Sequence, residues 1–322
     1  RGRRGWQEHM LSTLSMLKGD VVVKGRPMNV TIEPTNACNL LCPICETGAG
    51  ILDREESHMT LEQFKTIVGK VGVYTNTLMF YFMGEPFLNK ASYEMIRHAK
   101  DTGIPFVTTC TNGDPVNPQK LIECGLDEVS FQIGGMAQET HEIYRVNSNL
   151  DRVLNNLKET IRLKRASKSK IRILSGFIVM KQNEHEVETF KSHMAELGVD
   201  EIVVIDACVR DVEQGVQFLP KNEDYWAYDV EAFKKGILQP RTIPQNKCDW
   251  IYYSLSIHVN GDVVPCCRDP KGEQVMGNLL TQNLDEVWNG QSYVAFREKL
   301  HKSQGQIHIC QLCSSYPVSQ VH

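Results

Sequence analysis

Short apolar runs alternate with amphipathic segments along the chain as far as residue 207. Apolar runs that end at glycine or proline are typical of buried strands, whereas apolar residues three and four positions apart are typical of helices that bury one face. The pattern predicts six strands, at residues 28–35, 77–86, 105–113, 128–135, 171–180 and 201–207. It predicts helices between them, at residues 60–71, 92–103, 118–125, 150–165 and 184–198.

This alternation predicts parallel strands joined by right-handed helical crossovers, the arrangement of α/β proteins. Six strand–helix units are too few for a complete eight-stranded barrel, so we expect a partial (β/α)6 barrel. Ligands of such folds bind where the strands end. We therefore expect one mouth to collect the segments that follow the strands, including a cysteine-rich loop at 36–46 and a Gly-Glu-Pro sequence at 84–86.

The pattern changes after residue 207. Residues 208–247 contain three prolines and one short helical pattern at 223–235, which is typical of a connector. Beyond them, a hairpin that turns at Asn260-Gly261 and a helix at 284–302 predict a small α+β domain. The expected domains are a lead-in at 1–27, a barrel at 28–207, a connector at 208–247 and the small domain at 248–322.

Composition excludes several classes of protein. The 322 residues are 41% hydrophobic and 23% charged, as in ordinary folded domains, and the net charge of −4 gives no basic field for nucleic acid. No apolar run is long enough to cross a membrane, and the first residues lack the apolar core of a signal peptide. We expect a cytoplasmic protein without membrane or nucleic-acid partners.

Cysteine is the residue type that points to chemistry. The chain has 11 cysteines, an odd number, and no export signal, so a disulfide framework is not expected. Their spacings are short and suit metal ligation better than bridges between distant segments. The groups are Cys38, Cys42 and Cys45; Cys266 and Cys267; and Cys310 and Cys313.

The first group has three thiols in the spacing CxxxCxxC. Structural zinc sites are closed by four ligands, and the next candidate, His58, stands alone. An iron–sulfur cube normally uses four cysteines, so a cube held by three would keep one iron for a ligand that is not protein.

Cys38, Cys42 and Cys45, placed where a first strand opens a partial barrel, resemble the cluster motif of the radical S-adenosylmethionine (SAM) superfamily. The resemblance covers roughly residues 28–207. It implies a [4Fe–4S] cluster whose free iron chelates SAM, and reductive cleavage of SAM to a 5′-deoxyadenosyl radical that abstracts a substrate hydrogen. It also implies a flavodoxin or ferredoxin-type electron donor.

The same resemblance implies the residues that bind SAM. Gly84, Glu85 and Pro86 match the family motif that binds the methionyl ammonium, and a carboxylate facing a cation is chemically sensible. Taken singly, these and the other candidates would be ordinary loop or strand-end residues. The other implied contacts are Thr111 and Asn112 in the pocket, Ser130 and Gln132 at the ribose or carboxylate, Arg145 at the carboxylate, and Ile44, Ile178 and Val179 at the adenine. Isoleucine at position 44 departs from the family, where this residue is often aromatic.

The C-terminal cysteines Cys248, Cys266, Cys310 and Cys313 resemble the auxiliary-cluster extension of the superfamily. That extension has a long form with seven cysteines (SPASM) and a short form (twitch), and four thiols fit the short form. The resemblance implies a second [4Fe–4S] cluster that transfers electrons. On the residues alone, four cysteines with a CxxC pair fit a zinc ribbon equally well.

Two further thiols, Cys267 and Cys208, are candidate catalytic residues. Each is expected near the mouth and could return a hydrogen atom to a substrate radical, whereas the plainer interpretation of Cys267 is a buried or alternative ligand. Glu46, Asp206, Arg210 and Asp211 follow strands or the cysteine loop and are candidates for binding substrate at the mouth.

We therefore expect a radical SAM enzyme that oxidises or epimerises a small polar, carbohydrate-like substrate, because 27 residues before the first strand are too few for a leader-peptide domain. Peptide modification, as in RiPP maturation, is the alternative. A non-catalytic zinc protein is the alternative from another class. A tRNA-modifying enzyme would need a basic patch, for which only residues 1–4 and 162–170 are available.

Overall fold

The computed structural model describes residues 3–242 and 245–313. Its described strands form one sheet in the order β6-β5-β4-β3-β2-β1-β7-β8-β9. The strands are β1 (Asn29–Ile32), β2 (Thr77–Met79), β3 (Phe106–Thr111), β4 (Glu128–Ile133), β5 (Arg172–Val179), β6 (Glu201–Asp206), β7 (Ser254–Ile257), β8 (Asp262–Val264) and β9 (Gly277–Asn278).

Helices connect successive strands of the barrel. Their starts follow local capping chemistry: Thr60 and Gln63 form a capping box, and the Asn149 side chain accepts the Arg152 N–H. The helices are α1 (Arg3–Lys18), α2 (Leu61–Val71), α3 (Ser92–Asp101), α4 (Pro118–Glu123), α5 (Gln138–Tyr144), α6 (Leu150–Ser167), α7 (Val187–Leu197), α8 (Val212–Phe218), α9 (Val230–Lys234), α10 (Trp250–Tyr253), α11 (Leu284–Trp288) and α12 (Gln291–Ser303).

The first six strands pair in parallel and in chain order, so the predicted α/β class and partial (β/α)6 barrel are confirmed. The small C-terminal region, in contrast, continues the same sheet. β7 pairs in parallel with β1 from Asn29↔Ser254 to Ile32↔Ile257, and β8 and β9 follow as antiparallel strands. Because β7 covers the outer edge of β1, that edge is not left with unpaired backbone groups.

Several element boundaries differ from the predicted ones. The apolar run at 77–86 contains a strand of only three residues, since the chain turns into the Gly-Glu-Pro loop and then into a 3₁₀ turn at Pro86–Leu88. The helix predicted at 284–302 is interrupted at Asn289 and becomes α11 and α12. The hairpin turns at Asn260-Gly261 as predicted. Residues 1–2, 243–244 and 314–322 of the predicted domains lie outside the described residues.

Ion pairs close the N-terminal end of the barrel. The Arg172 guanidinium binds Glu128 at 2.6 Å and Glu201 at 2.5 Å, and thus joins β4, β5 and β6. The basic run at 162–170 is also paired, with Lys164 held by Asp200 and Arg162 by Glu159. No helix in the described ranges is both long and apolar enough to span a bilayer.

Candidate active site

The cysteine loop leaves β1 and folds back over the C-terminal ends of the strands. The Cys45 N–H donates to the Cys42 carbonyl at 3.1 Å, and the Leu41 N–H donates to the Val146 carbonyl at 3.1 Å. A Cβ atom on Gly48 would lie 2.3 Å from the Cys42 nitrogen, so the loop needs glycine there. The loop is therefore built by its own backbone and anchored to the segment that follows α5.

The three thiols of this loop lie close together in a poorly hydrated place. Burial raises the pKa of the Cys38 thiol to about 12, and the charges of Cys42 and Cys45 act on it in the same direction. Burial also raises the pKa of Cys42, while Arg145 lowers it. Such thiols lose their protons only when a metal replaces them.

The donor set of this loop, three thiols within one short segment, fits a cube that keeps one iron free. In the described ranges, no three His, Cys, Asp or Glu side chains are gathered closely enough to hold one metal ion. In a cube each thiolate binds a different iron, so the ligands stand further apart than the ligands of one zinc ion.

Arg145 supplies a buried cation beside the thiols. It caps the end of α5, its guanidinium stacks on the Tyr144 ring at 5.1 Å, and it donates a hydrogen bond to Cys42. Its Nε atom is buried and has no hydrogen-bond partner among the residues that the structure describes. A buried cation with an unused donor fits an anionic ligand such as a carboxylate or an iron–sulfur cluster.

Glu85 joins the ends of two strands. Its carboxylate accepts the Thr111 hydroxyl at 2.8 Å, the Asn112 N–H at 2.7 Å and the Phe87 N–H at 3.1 Å. Burial raises the pKa of Glu85 to about 7, against these three hydrogen bonds. The carboxyl is thus braced by protein donors, and its charge still acts on the Cys38 thiol.

The loop that contains Glu85 touches the start of the cysteine loop. Gly84 has a φ of 76°, and a Cβ atom there would lie 2.6 Å from the carbonyl oxygens of Thr35 and Ala37. On the other side, the Asn112 amide donates to the Asn39 side chain at 2.9 Å. Three predicted segments therefore meet, as expected for strand ends at one mouth, with Pro86 starting the 3₁₀ turn behind them.

The remaining predicted SAM contacts divide between the two faces of the sheet. Gln132 donates to the Ser130 hydroxyl at 2.8 Å, so both side chains lie on the barrel interior, over Gly176. Ile178 packs with Ile44 in the apolar cluster that surrounds the cysteine loop. Val179 belongs to the other core, beneath the helices, so its side chain points away from the mouth.

A buried ion pair below the mouth was not predicted. Glu33 follows β1, is fully buried, and accepts both terminal nitrogens of Arg54 at 2.7 Å. It also accepts the N–H groups of Met83 at 3.2 Å and Val259 at 2.9 Å. One carboxylate thus ties the segment after the cysteine loop, the Gly-Glu-Pro loop and the exit of β7 together. The only sequence signal was an acid at the end of an apolar strand.

Arg210, predicted as a substrate-binding candidate, holds the cysteine loop instead. Its guanidinium donates to the Ile44 carbonyl at 2.6 Å and to the Pro43 carbonyl at 3.2 Å. Asp211 also has a structural role, since its carboxylate caps α8 by accepting the Gln214 N–H. Asp206 ends β6 at the surface, and burial raises the pKa of its carboxyl.

The C-terminal cysteines form a second group. Burial raises the pKa of Cys248 to about 11 and that of Cys310 to about 12. The charge of Cys313 acts on both pKa values in the same direction. Burial raises the pKa of Cys266, and the charges of Cys248 and Cys313 raise it further. Backbone N–H groups of Trp250 and Ile251 donate to the Cys248 sulfur. The four thiols predicted as auxiliary ligands therefore lie together, with amide donors of the kind that stabilise thiolates.

Cys208 and Cys267 lie between the two groups. Both residues are exposed to solvent, while desolvation raises the pKa of the Cys267 thiol. Cys313 and Cys208 both act on the Cys267 thiol, while the charge of Cys208 also acts on Tyr144 beside the first group. The two exposed thiols are thus within electrostatic range of each other.

Comparison with known proteins agrees with this geometry. A model of the radical SAM superfamily matches residues 32–193, and a model of an iron–sulfur cluster-binding domain, SPASM, matches residues 248–314. A probable GTP 3′,8-cyclase of Sulfurisphaera tokodaii is 30% identical over 182 residues, which are 55% of this chain and 55% of that protein. The chain thus spans about half the length of the curated relatives it matches.

Solved structures show the fold over most of the chain. BtrN in complex with AdoMet and 2-DOIA aligns with a TM-score of 0.52 and 17% identity, over 88% of this chain and 91% of BtrN. Streptococcus suis SuiB bound to the precursor peptide SuiA aligns with a TM-score of 0.65 and 14% identity, over 90% of this chain and 71% of SuiB. The two matched domains imply SAM and two [4Fe–4S] clusters as cofactors. The chain belongs to the radical SAM superfamily and carries a C-terminal SPASM domain.

Proposed function

We propose that this enzyme abstracts a hydrogen atom from a C–H bond of a small polar, carbohydrate-like substrate and completes either a dehydrogenation or an epimerisation. The observation that carries the proposal is a polar, partly accessible barrel interior between two groups of thiols. Cys110, Ser130 and Gln132 line this interior, and Cys208 and Cys267 lie near one another at its exposed side.

We assign the first cluster to Cys38, Cys42 and Cys45 and the auxiliary cluster to Cys248, Cys266, Cys310 and Cys313. When bound, SAM and the first cluster supply a hydrogen-abstracting radical after reduction by a flavodoxin or ferredoxin-type donor. The unused Nε donor of Arg145 would face the SAM carboxylate, and the carboxylate of Glu85 the methionyl ammonium.

The protein residues decide what happens to the substrate radical. For dehydrogenation, an auxiliary cluster held by the C-terminal cysteines would supply the acceptor for one electron of the substrate radical, and solvent or Asp206 would take one proton, so that two hydrogens leave the substrate in total. For epimerisation, a thiol S–H bond breaks and a C–H bond forms on the opposite face; the resulting thiyl radical then needs one electron and one proton. Cys267 and Cys208 are the candidate donors because both are accessible.

A peptide substrate is the second candidate. It is favoured by the likeness to SuiB, whose structure was solved with a precursor peptide and aligns with a higher TM-score than BtrN does. The cyclase activity of the sequence relatives is not adopted, because the similarity covers about half of each chain.

The test is an anaerobic assay on reconstituted enzyme. About eight irons per chain are expected for two cubes, together with 5′-deoxyadenosine when SAM and a reductant are added. A panel of sugars, cyclitols and short peptides is then incubated in D₂O. Deuterium gained at a carbon identifies epimerisation, whereas a product two hydrogens lighter identifies dehydrogenation. Zinc at both sites with intact SAM would refute the proposal, and turnover of peptides alone would replace it by the second candidate.

The hydrogen donor is tested by Cys267→Ala and Cys208→Ala. Replacing the true donor should leave SAM cleavage intact and stop deuterium incorporation into product. Cys124→Ala is the matched control, because Cys124 is buried in the core beneath the helices. If both exposed-thiol variants retain full turnover, neither residue is the donor.

A further inference from the structure

Arg297 is a buried cation in the C-terminal domain that has no acidic partner among the described residues. Its guanidinium donates only to oxygens of carbonyl or amide groups: Val21 at 3.1 Å, Trp288 at 2.9 Å, Ile251 at 3.3 and 3.4 Å, and Asn289 at 3.3 Å. The rings of Trp288 and Tyr293 lie 4.5 and 4.4 Å from its central carbon. Burial lowers the pKa of Arg297 to about 10.

A buried charge is costly unless an opposite charge or a metal centre balances it. The groups that favour the charged form of Arg297 are the hydroxyls of Tyr293 and Tyr252, not carboxylates. Both tyrosines in turn feel the charge of Cys248. Tyr252 also feels the carboxylates of Asp20 and Asp249, whereas the acidic groups that act on Tyr293 are the thiols of Cys266 and Cys248.

The Tyr293 ring packs against the Arg297 guanidinium. Its side chain is fully buried, and its hydroxyl has no hydrogen-bond partner in the described protein. The charges of Cys266 and Cys248 act on this hydroxyl. Buried hydroxyl groups are nearly always hydrogen-bonded, so an orphan hydroxyl in electrostatic range of Cys266 and Cys248 points to an acceptor that is not protein.

We propose that the Tyr293 hydroxyl donates a hydrogen bond to the auxiliary cluster, at a sulfide or a ligating sulfur, and that Arg297 supplies the positive charge behind this bond. The inference rests on the proposed function, in which that cluster accepts an electron from the substrate. Both are positioning residues for the cluster, and they touch no substrate.

Tyr293 and Arg297 would change the reduction potential of the auxiliary cluster. Reduction adds negative charge to a cluster, and hydrogen bonds to sulfur and nearby positive charge stabilise the reduced state. Tyr293 and Arg297 therefore raise the reduction potential of the auxiliary cluster, which makes it a better acceptor for the second electron of a dehydrogenation.

The experiment compares Tyr293→Phe with Tyr252→Phe in the full reconstituted chain. Tyr252 is the matched control, because it feels Cys248 as well, but its hydroxyl is already bonded to His301 Nε2 at 2.8 Å. The midpoint potential of the auxiliary cluster is measured by EPR-monitored titration, with Cys38, Cys42 and Cys45 replaced by alanine in each chain so that only this cluster gives a signal.

Tyr293→Phe should shift the midpoint to a more negative value, and Tyr252→Phe should leave it within error of the parent. Electron–nuclear double resonance of the reduced parent should detect an exchangeable proton coupling that disappears in Tyr293→Phe only. These readouts do not depend on turnover or on folding of an Arg297 variant.

Equal potentials in all three chains, or an exchangeable-proton spectrum of Tyr293→Phe identical to that of the parent, would overturn the inference and leave the proposed function intact. The exchangeable couplings from the Trp250 and Ile251 N–H groups, which donate to the Cys248 sulfur, are expected in every chain. A site that takes up zinc and no iron would instead remove the auxiliary cluster, and with it the electron-transfer part of the proposed function.

Discussion

Replacing Glu33 by glutamine should destabilise the enzyme strongly. The Glu33 carboxylate is fully buried and receives four N–H groups, two from Arg54 at 2.7 Å and one each from Met83 and Val259. Glutamine keeps the shape but removes the charge, and its NH₂ group would face N–H donors. Arg54, whose side chain is 12% exposed, would then be a nearly buried cation without its counter-ion.

Breaking a buried ion pair by removing one partner costs about 3–5 kcal/mol. The unfolding entropy of globular proteins is about 2.1 cal/mol/K per residue, which gives ~0.7 kcal/mol/K for a chain of 322 residues. The melting temperature of Glu33→Gln should therefore fall by about 4–7 °C. Anaerobic calorimetry of the reconstituted enzyme measures this shift.

Two comparisons make the result decisive. Glu159→Gln removes an exposed carboxylate that pairs with Arg162, so its melting temperature should change by less than about 1 °C. Glu33→Gln combined with Arg54→Met removes both charges and should regain part of the lost stability, because no uncompensated charge remains. A Glu33→Gln melting temperature equal to that of Glu159→Gln would refute the reasoning.

Three further perturbations follow from the site. Arg210→Gln removes the hydrogen bonds to the Ile44 and Pro43 carbonyls, so the first cluster should be lost faster during gel filtration, as measured by iron content. Arg210→Lys should restore little of the iron content, because lysine lacks the planar guanidinium that bonds both carbonyls. Burial raises the pKa of the Glu85 carboxyl to about 7, so the carboxylate that would bind the SAM ammonium forms only as the pH rises through 7. SAM binding should therefore tighten over this pH range. A pH titration of SAM binding to Glu85→Gln that keeps this dependence would contradict the assignment. The same raised pKa means that Glu85 favours folding below its unfolded value of 4.5 and that this contribution is lost between pH 4.5 and 7. Gly84→Ala should weaken SAM binding at least tenfold, as measured by calorimetry, because the new Cβ atom would overlap two carbonyl oxygens. Gly50 is the control, since it has a similar left-handed φ but lies in open space. Gly50→Ala should only lower the free energy of unfolding by about 1 kcal/mol.

The features that sequence could predict are those encoded within short stretches. Apolar periodicity marked the strands and helices of the barrel, and the cysteine spacings marked both groups of thiols. The turn at Asn260-Gly261 was visible for the same reason, since it depends on neighbours only a few residues away.

Features built from distant positions were not predictable in this way. The partners of Glu33 come from three other parts of the chain, and no periodicity relates them. Arg210 has the same character as any exposed loop arginine until β6 is known to end beside the cysteine loop. The orphan hydroxyl of Tyr293 lies in a helix whose sequence pattern indicates only an ordinary buried tyrosine.

The pairing of β7 with β1 also has a consequence for biosynthesis. The outer edge of β1 finds its partner only after roughly 220 further residues have been made, which takes about 10–45 s at 5–20 residues per second. Until then the nascent barrel exposes an unpaired parallel edge that other chains could join. Completion of the sheet is therefore a late event, the auxiliary thiol group is completed later still because it needs Cys310 and Cys313, and a ribosome stalled before residue 254 would hold an aggregation-prone intermediate.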